Sequence, residues 1–390
     1  MVEALRNPRL REFGTTVFAE MSALAARTGA INLGQGFPDT DGPVEVAEVA
    51  ARAVLEGPNQ YPPLPGQPGL RTAVAEHAER FYGLRYDPDD EVLITAGATE
   101  AIAASMFAFC DHGDEVITFE PTYDSYAASI AMAGAVKRPI LLAAPDHELD
   151  LDAVRSVITP RTRVLLLNTP HNPTGKVFTK AELESLAAIS IEHDLIVVSD
   201  EVYEHMVFDG EHLPIAGLPG MRERTITLGS AGKTFSFTGW KVGWSTAPKP
   251  LRDAVMTAKQ FLTFVNAAPL QPAVELGLRL GDEYFDRLRG DLLAKRDRLS
   301  TGLSDIGFDV LHTQGTYFLT ADMVELAERT GLPQTSVDFC LALPEAAGVV
   351  AVPSEVFYDT REAGRRLIRF AFCKQDRILD AAIERLSVLR

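Results

Sequence analysis

Arg163-Val-Leu-Leu-Leu-Asn168, the loop Thr169-Pro-His-Asn-Pro-Thr-Gly175 and then Leu195-Ile-Val-Val-Ser-Asp200 form the stretch on which the reading of this chain turns. Each apolar run has the length of one strand and lacks polar alternation, the pattern of a strand covered on both faces. Residues 181–193 between them carry apolar side chains at helical spacing. A strand, a crossover helix and a second strand make a parallel β-α-β unit, in which ligands gather at the strand carboxyl ends.

The same alternation extends in both directions. β-rich runs at 91–95, 115–120, 136–141 and 225–228 are separated by Ala- and Leu-rich stretches such as 99–110, which predicts an α/β fold with a parallel sheet and crossover helices. Near Leu280 the texture changes to a charged stretch, 282–304, followed by shorter runs at 316–321, 349–353 and 367–372. A chain of 390 residues exceeds one compact core, so we expect three parts: an N-terminal segment 1–43 covering a cleft, a large domain 44–285 and a small domain 286–390.

A formal charge of −17 repels nucleic acid and anionic membranes, so neither is an expected partner. Cys110, Cys340 and Cys373 show no CxxC pairing, which suggests neither a disulfide framework nor a metal site. The start, MVEALRNPRLREF, lacks the apolar segment of a signal peptide, and no apolar run approaches the ~20 residues that span a bilayer. A cytoplasmic location is expected.

The strand ends carry the chemistry. After 91–95 comes Ala96-Gly-Ala-Thr-Glu100, where small residues open a helix whose N-terminus suits a phosphate, although Thr99 could equally be a plain helix cap. After 115–120 stands Tyr123, able to stack on a planar ligand or simply to fill the core. The two prolines of 169–175 stiffen a loop that presents Asn172. The run 195–200 ends on Asp200, whose carboxylate needs a cation, from a Lys or Arg or from a ligand, unless it is exposed.

The densest segment is Gly229-Ser-Ala-Gly-Lys-Thr-Phe-Ser-Phe-Thr-Gly-Trp-Lys-Val-Gly243, with Ser230, Lys233 and Lys241 following a strand. Its Gly-Lys-Thr is not a nucleotide phosphate loop, because Thr227 stands where that motif needs glycine. Gly34-Gln-Gly36 is not a dinucleotide fingerprint either, since Asp39 occupies the third glycine position.

Taken in register from 32–39 through 59–63, Asn172-Pro-Thr-Gly175, Ser199-Asp-Glu-Val-Tyr203 and Ser230-Ala-Gly-Lys233 to Arg369, the chain resembles the class I/II aminotransferases of pyridoxal-phosphate fold type I. Within them it is similar to the branch of kynurenine/glutamine transaminases and actinobacterial N-succinyldiaminopimelate aminotransferases. The resemblance implies a mainly parallel seven-stranded sheet sandwiched by helices, plus a smaller α+β domain.

It also implies roles. Pyridoxal 5'-phosphate would be held by Lys233 as a Schiff base, with Asp200 at the ring nitrogen, Asn172 and Tyr203 at the ring hydroxyl and Tyr123 on the ring face. Ala98, Thr99, Ser230 and Lys241 would hold the phosphate, with Tyr61 reaching in from a second subunit of a homodimer with shared sites. Arg369 would grip the substrate α-carboxylate, helped by Asn172 and the Gly36 backbone, and Phe264 would complete the neighbouring site.

The residue types suit those tasks. Lysine forms an exchangeable imine and, once released, moves a proton; a carboxylate keeps the ring cationic as an electron sink; the planar fork of arginine matches a carboxylate. In Leu-Ile-Arg-Phe-Ala-Phe, Arg369 is the lone charge of an apolar strand, although an acidic neighbour would explain it as well. Lysine at 241 replaces the arginine common in the wider superfamily.

The expected reaction is ping-pong transfer between a small-molecule amino acid and a 2-oxo acid. Rivals are a cysteine-conjugate carbon–sulfur β-lyase on the same scaffold and a non-catalytic ligand sensor, the latter disfavoured by the lack of a basic DNA-binding segment. Residues 13–21 with Tyr317 and Phe318 are expected to line the substrate side-chain pocket.

Overall fold

The computed structural model describes residues 7–390 except Glu12 and Thr15, so the part of the 13–21 segment at Thr15 lies outside the described residues. Its strands are β1 (Ile31–Asn32), β2 (Val92–Thr95), β3 (Glu115–Glu120), β4 (Val136–Leu141), β5 (Thr162–Asn168), β6 (Ile196–Asp200), β7 (Thr225–Ser230) and β8 (Gly243–Thr246). Toward the C-terminus follow β9 (Asp309–Val310), β10 (Phe318–Asp322), β11 (Val349–Val350), β12 (Val352–Pro353) and β13 (Leu367–Ala371).

Seven strands form the main sheet in the order β2-β8-β7-β6-β5-β3-β4. All its pairings are parallel except those of β8, which runs antiparallel to both β2 and β7. Alternate residues of each central strand face opposite layers, which is why the runs are apolar throughout. Val164 and Leu166 of β5 pack with Ile102 and Val255. Leu165 and Leu167 pack with Leu183 and Leu186 on the other side. The helices Gly97–Phe109 and Lys180–Glu192 thereby cover the two faces.

Strand β8 is absent from the sequence reading. Its four residues follow a glycine-rich turn and stop just before Pro248, so they carry too little pattern to stand out, and pairing from both sides makes the strand. Gly243 at its start is obligatory, because a Cβ there would sit 2.7 Å from the backbone of Gly97.

The chain then enters the helix Asp282–Ile306, whose Leu292, Leu299 and Leu303 join a second core with Leu33, Phe318 and Phe370. Over it lie β12-β13-β10-β9, all antiparallel. The expected single run 349–353 divides at Ala351, because β11 pairs in parallel with β1 while β12 turns to pair with β13. The expected run 316–321 begins only at Phe318, since Thr316 is held at φ +69°, outside strand geometry. Among the described residues no helix is long and apolar enough to cross a membrane.

Candidate active site

The carboxyl ends of β5, β6 and β7 open on a cavity of about 280 Å³. Gly36, Ala98, Thr99, Tyr123, Asn172, Asp200, Tyr203, Ser230, Lys233, Lys241 and Arg369 all line it. The parallel register sets Asn168 beside Asp200 and Asp200 beside Leu228, so three strand ends reach one level and their following loops converge.

Asp200 is 4% exposed and has no ion-pair partner among the described residues. Its carboxylate accepts from the Tyr126 hydroxyl at 2.7 Å. Burial pushes its carboxyl up to about 6, partly offset by that bond. The acid is not exposed, and no Lys or Arg among the described residues stands within ion-pair distance of it; Lys233 acts on it only from farther off. Lys233 stands in the turn Ala231–Thr234 that Ser230 caps by accepting from the Gly232 N–H. Its ammonium is pushed down to about 8, first by burial, which leaves about a tenth of it neutral at pH 7.

Arg369, 1% exposed on β13, also lacks an acidic partner among the described residues. It donates to Asn172 Oδ1 and to the Gly34 carbonyl, both at 3.1 Å, while its Nε has no acceptor. The guanidinium lies 4.0 Å over the Phe318 ring, with Phe18 and Phe357 each at 5.1 Å, and burial lowers it to about 10. A buried carboxylate and a buried guanidinium, neither held in an ion pair among the described residues, thus face one cavity, an arrangement that a ligand bearing both charges completes.

The end of the cavity at the helix Gly97–Phe109 has its own geometry. The helix Gly97–Phe109 begins at N-cap Ala96 with no side-chain cap, so Thr99 is not the cap; it stands in the first turn with its hydroxyl beside that of Tyr123. Gly97 at φ +73° comes within contact of Lys241, whose Nζ would lie 3.1 Å from a Cβ there. Helix N-terminus, hydroxyls of Thr99 and Ser230, and Lys241 form a cradle that fits a phosphate.

Two expected residues are elsewhere. Tyr61, 81% exposed, and Phe264 do not line this cavity; their rings meet edge-on at 5.4 Å on the surface beside exposed Phe261 and Leu262. Of the 13–21 segment, Phe18 reaches the cavity. Of the pair 317–318, Phe318 lines it, whereas Tyr317 meets Lys233 from behind: Lys233 Nζ donates to its hydroxyl at 2.8 Å. Tyr126 and Asn168, not singled out from the sequence, hold Asp200 and Asn172, the latter through the Asn172 N–H to Asn168 Oδ1 at 2.8 Å. Tyr126 follows Tyr123 at i+3 on the helix Asp124–Ala133, a spacing that was there to be read.

His77, Glu204 and His205 are the metal-capable group among the described residues, and none lines the cavity. The two imidazole Nε2 atoms are 2.9 Å apart, a hydrogen-bond distance. Nδ1 of His77 has no acceptor, where a metal-bound imidazole ordinarily donates.

Fold and cavity define a class of enzyme built on a two-charge ligand site, and comparison with known proteins agrees. Residues 28–386 match the family described as aminotransferase class I and II. The chain is 51% identical to a probable N-succinyldiaminopimelate aminotransferase of Mycobacterium tuberculosis over 98% of each chain. The solved structure of the N-succinyldiaminopimelate aminotransferase from that organism, also at 51% identity, superposes with a TM-score of 0.95, covering 99% of this chain and 100% of the other. A methionine aminotransferase of Escherichia coli is 40% identical over 98% and 97% of the two chains. Kynurenine–oxoglutarate transaminase 3 of Mus musculus is 37% identical over 96% and 88%. The chain belongs to the class I and II aminotransferases, and it is a transaminase.

Proposed function

We propose that the cavity holds pyridoxal phosphate on Lys233 and passes an amino group between an amino acid and a 2-oxo acid, with two cytoplasmic protomers sharing their sites. The observation that carries this reading is the pair of buried, unpaired charges at Asp200 and Arg369. Bound there, the cofactor would supply an electrophilic aldehyde and a cationic ring that accepts the electron pair released at the substrate α-carbon.

The chain's own residues do the rest. Asp200 provides the negative charge for a ring nitrogen, with Tyr126 fixing its orientation. Of the residues lining the cavity, Asn172 and Tyr203 would hold the ring hydroxyl, Tyr123 would rest on a ring face, and Ala98, Thr99, Ser230 and Lys241 would make the phosphate cradle. Arg369 aligns the substrate carboxylate, and its two bonds to Asn172 and Gly34 keep the fork oriented before substrate arrives. Lys233 Nζ, its ammonium lowered by burial, takes the proton from the α-carbon as general base and returns it as general acid.

The exposed aromatics Tyr61, Phe261 and Phe264 support a face that a second copy covers, with the partner's Tyr61 and the partner's Phe264 completing this site. The same reading divides the chain into the segment 1–43, a large domain 44–285 and a small domain 286–390.

For the donor, the 51% identity favours N-succinyl-LL-diaminopimelate with 2-oxoglutarate. A second reading has a specific support: after Lys233, Lys241 and Arg369 are assigned, no other cation among the described residues lines the cavity, while Phe18, Phe37 and Phe318 do. That favours aromatic or thioether donors, as in the methionine and kynurenine enzymes. The test is the visible spectrum of the purified protein, followed by a donor panel with 2-oxoglutarate. A cofactor band and turnover that Lys233→Ala abolishes are expected. Colourless protein that gains no activity with added pyridoxal phosphate would refute the reading.

A further inference from the structure

Tyr317 is fully buried, yet its hydroxyl reaches the reactive centre. The oxygen lies 2.8 Å from Lys233 Nζ and 2.6 Å from the Gly36 carbonyl. A carbonyl accepts only, so the single phenolic proton is committed to Gly36 and the oxygen meets Lys233 through a lone pair. The tyrosine therefore acts toward the amine as a fixed acceptor. It ties the lysine of β7's following turn to the 31–43 segment that runs past the cavity mouth.

The backbone is arranged to deliver this hydroxyl. Thr316, β-branched and fully buried, is held at φ +69°, a conformation such residues seldom adopt. Its N–H donates to the Met206 carbonyl at 2.8 Å, and its hydroxyl accepts from the Phe318 N–H at 3.2 Å. Gly315 before it packs so close that a Cβ would lie 2.8 Å from the Met206 carbonyl oxygen. Strain next to a reactive lysine that the surrounding contacts over-determine is what a functional constraint leaves in a backbone. On the far side Gly36 is seated against Phe318, where a Cβ would fall 2.5 Å from the ring. Hydroxyl and segment are thus fixed relative to one another.

We propose that Tyr317 is a positioning residue for Lys233: its hydroxyl, anchored on Gly36, sets the direction of the Lys233 amine so that one lone pair or proton points into the cavity. The inference rests on the reading of Lys233 as the reactive amine. The groups around that amine are Asp200, Lys241, Arg369, Cys373, Tyr203 and Tyr317 itself. Cys373 and Tyr203 are pushed up by burial and stay neutral near neutral pH, which leaves Tyr317 as the neutral oxygen in hydrogen-bond contact with the amine.

An acceptor favours the ammonium over the free amine, so removing it must shift the amine toward deprotonation at lower pH. The test is Tyr317→Phe, which keeps the ring. In the full-length apoprotein, modification of Lys233 by trinitrobenzenesulfonate is followed against pH and located by mass spectrometry. The midpoint should fall by about one to two pH units, the effect of losing one hydrogen bond to a charged group. In the loaded enzyme kcat should fall about 10- to 100-fold with the donor KM within about threefold, the signature of lost orientation rather than lost binding. Replacing Tyr317 by 3-fluorotyrosine, whose oxygen is a poorer acceptor in an unchanged shape, should move the midpoint the same way by less, and it carries the test if the Phe variant folds badly. An unmoved midpoint in both proteins overturns the proposal even if kcat drops, because the tyrosine then does not act through Lys233. Failure of the underlying reading shows separately, as a Lys233→Ala enzyme that still turns over.

Discussion

Asp200→Asn separates what a buried carboxylate costs the fold from what it does in the site. The carboxyl is pushed up to about 6 by burial, against ~3.9 in an unfolded chain. A group raised on folding contributes stability that is fully present below the unfolded value and is lost as pH rises through the folded one. The cofactor-free protein should therefore carry little penalty at pH 4.5 and the full penalty at pH 8, and integration of the two titrations gives roughly 1 and 3 kcal/mol. Asparagine abolishes this pH-dependent cost. It can still accept from Tyr126, but its amide brings two N–H donors into a pocket arranged around an acceptor, a cost of about 1–2 kcal/mol at every pH.

The expected outcome is an apoprotein more stable than wild type by about 1–2 kcal/mol at pH 8 and no more stable, or less, at pH 4.5, so that the difference between the two conditions is about 2 kcal/mol. Urea unfolding of both proteins at the two pH values measures it. In the same variant kcat should fall by about 10³-fold, since the negative charge opposite the electron sink is gone. Stability that rises while activity collapses marks a residue kept against the interest of the fold. An effect of asparagine that is equal at both pH values would refute the reasoning, for the charge would then be satisfied within the empty protein.

Three further outcomes follow from the same geometry. Arg369→Lys should raise the donor KM about 100-fold with a smaller change in kcat, because an ammonium cannot keep the bonds to Asn172 and Gly34 while presenting a fork to the substrate; steady-state kinetics decides. Gly36→Ala places a methyl against the Phe318 ring and must displace the 31–43 segment, lowering kcat/KM about tenfold with a thermal midpoint within a few degrees of wild type. Inactive Tyr61→Ala and Lys233→Ala proteins, unfolded together and refolded, should regain about a quarter of wild-type activity if sites are shared, since half the dimers are mixed and each carries one intact site; no recovery would refute sharing.

The central sheet was legible because β5 and β6 are buried on both faces and therefore announce themselves as unbroken apolar runs, with boundaries within a residue of those observed. Strand β8 was not, because its stability comes from two neighbours rather than from its own four residues. The division of 349–353 depends on two partners, β1 and β13, distant in the chain, and no local pattern encodes which of them each half chooses.

The site divides along the same line. Lys233, Asp200, Asn172 and Arg369 are visible as unusual residues at the ends or in the middle of apolar runs, and position in a parallel sheet says where they converge. Invisible from sequence is whether a charge is paired, and that is the property from which their chemistry follows. Arg369 and Asp200 each had an ordinary structural explanation that only distances remove: neither has an ion-pair partner among the described residues, and Arg369 Nε has no acceptor at all. Tyr317 is the extreme case. As an aromatic beside Phe318 it reads as pocket lining, and its hydroxyl meets Lys233 directly after Thr316, which is held in a backbone conformation that its own side chain disfavours. Propensity there points away from the observed turn, and the contacts that overrule it come from Met206 and Gly36, on two other segments of the chain.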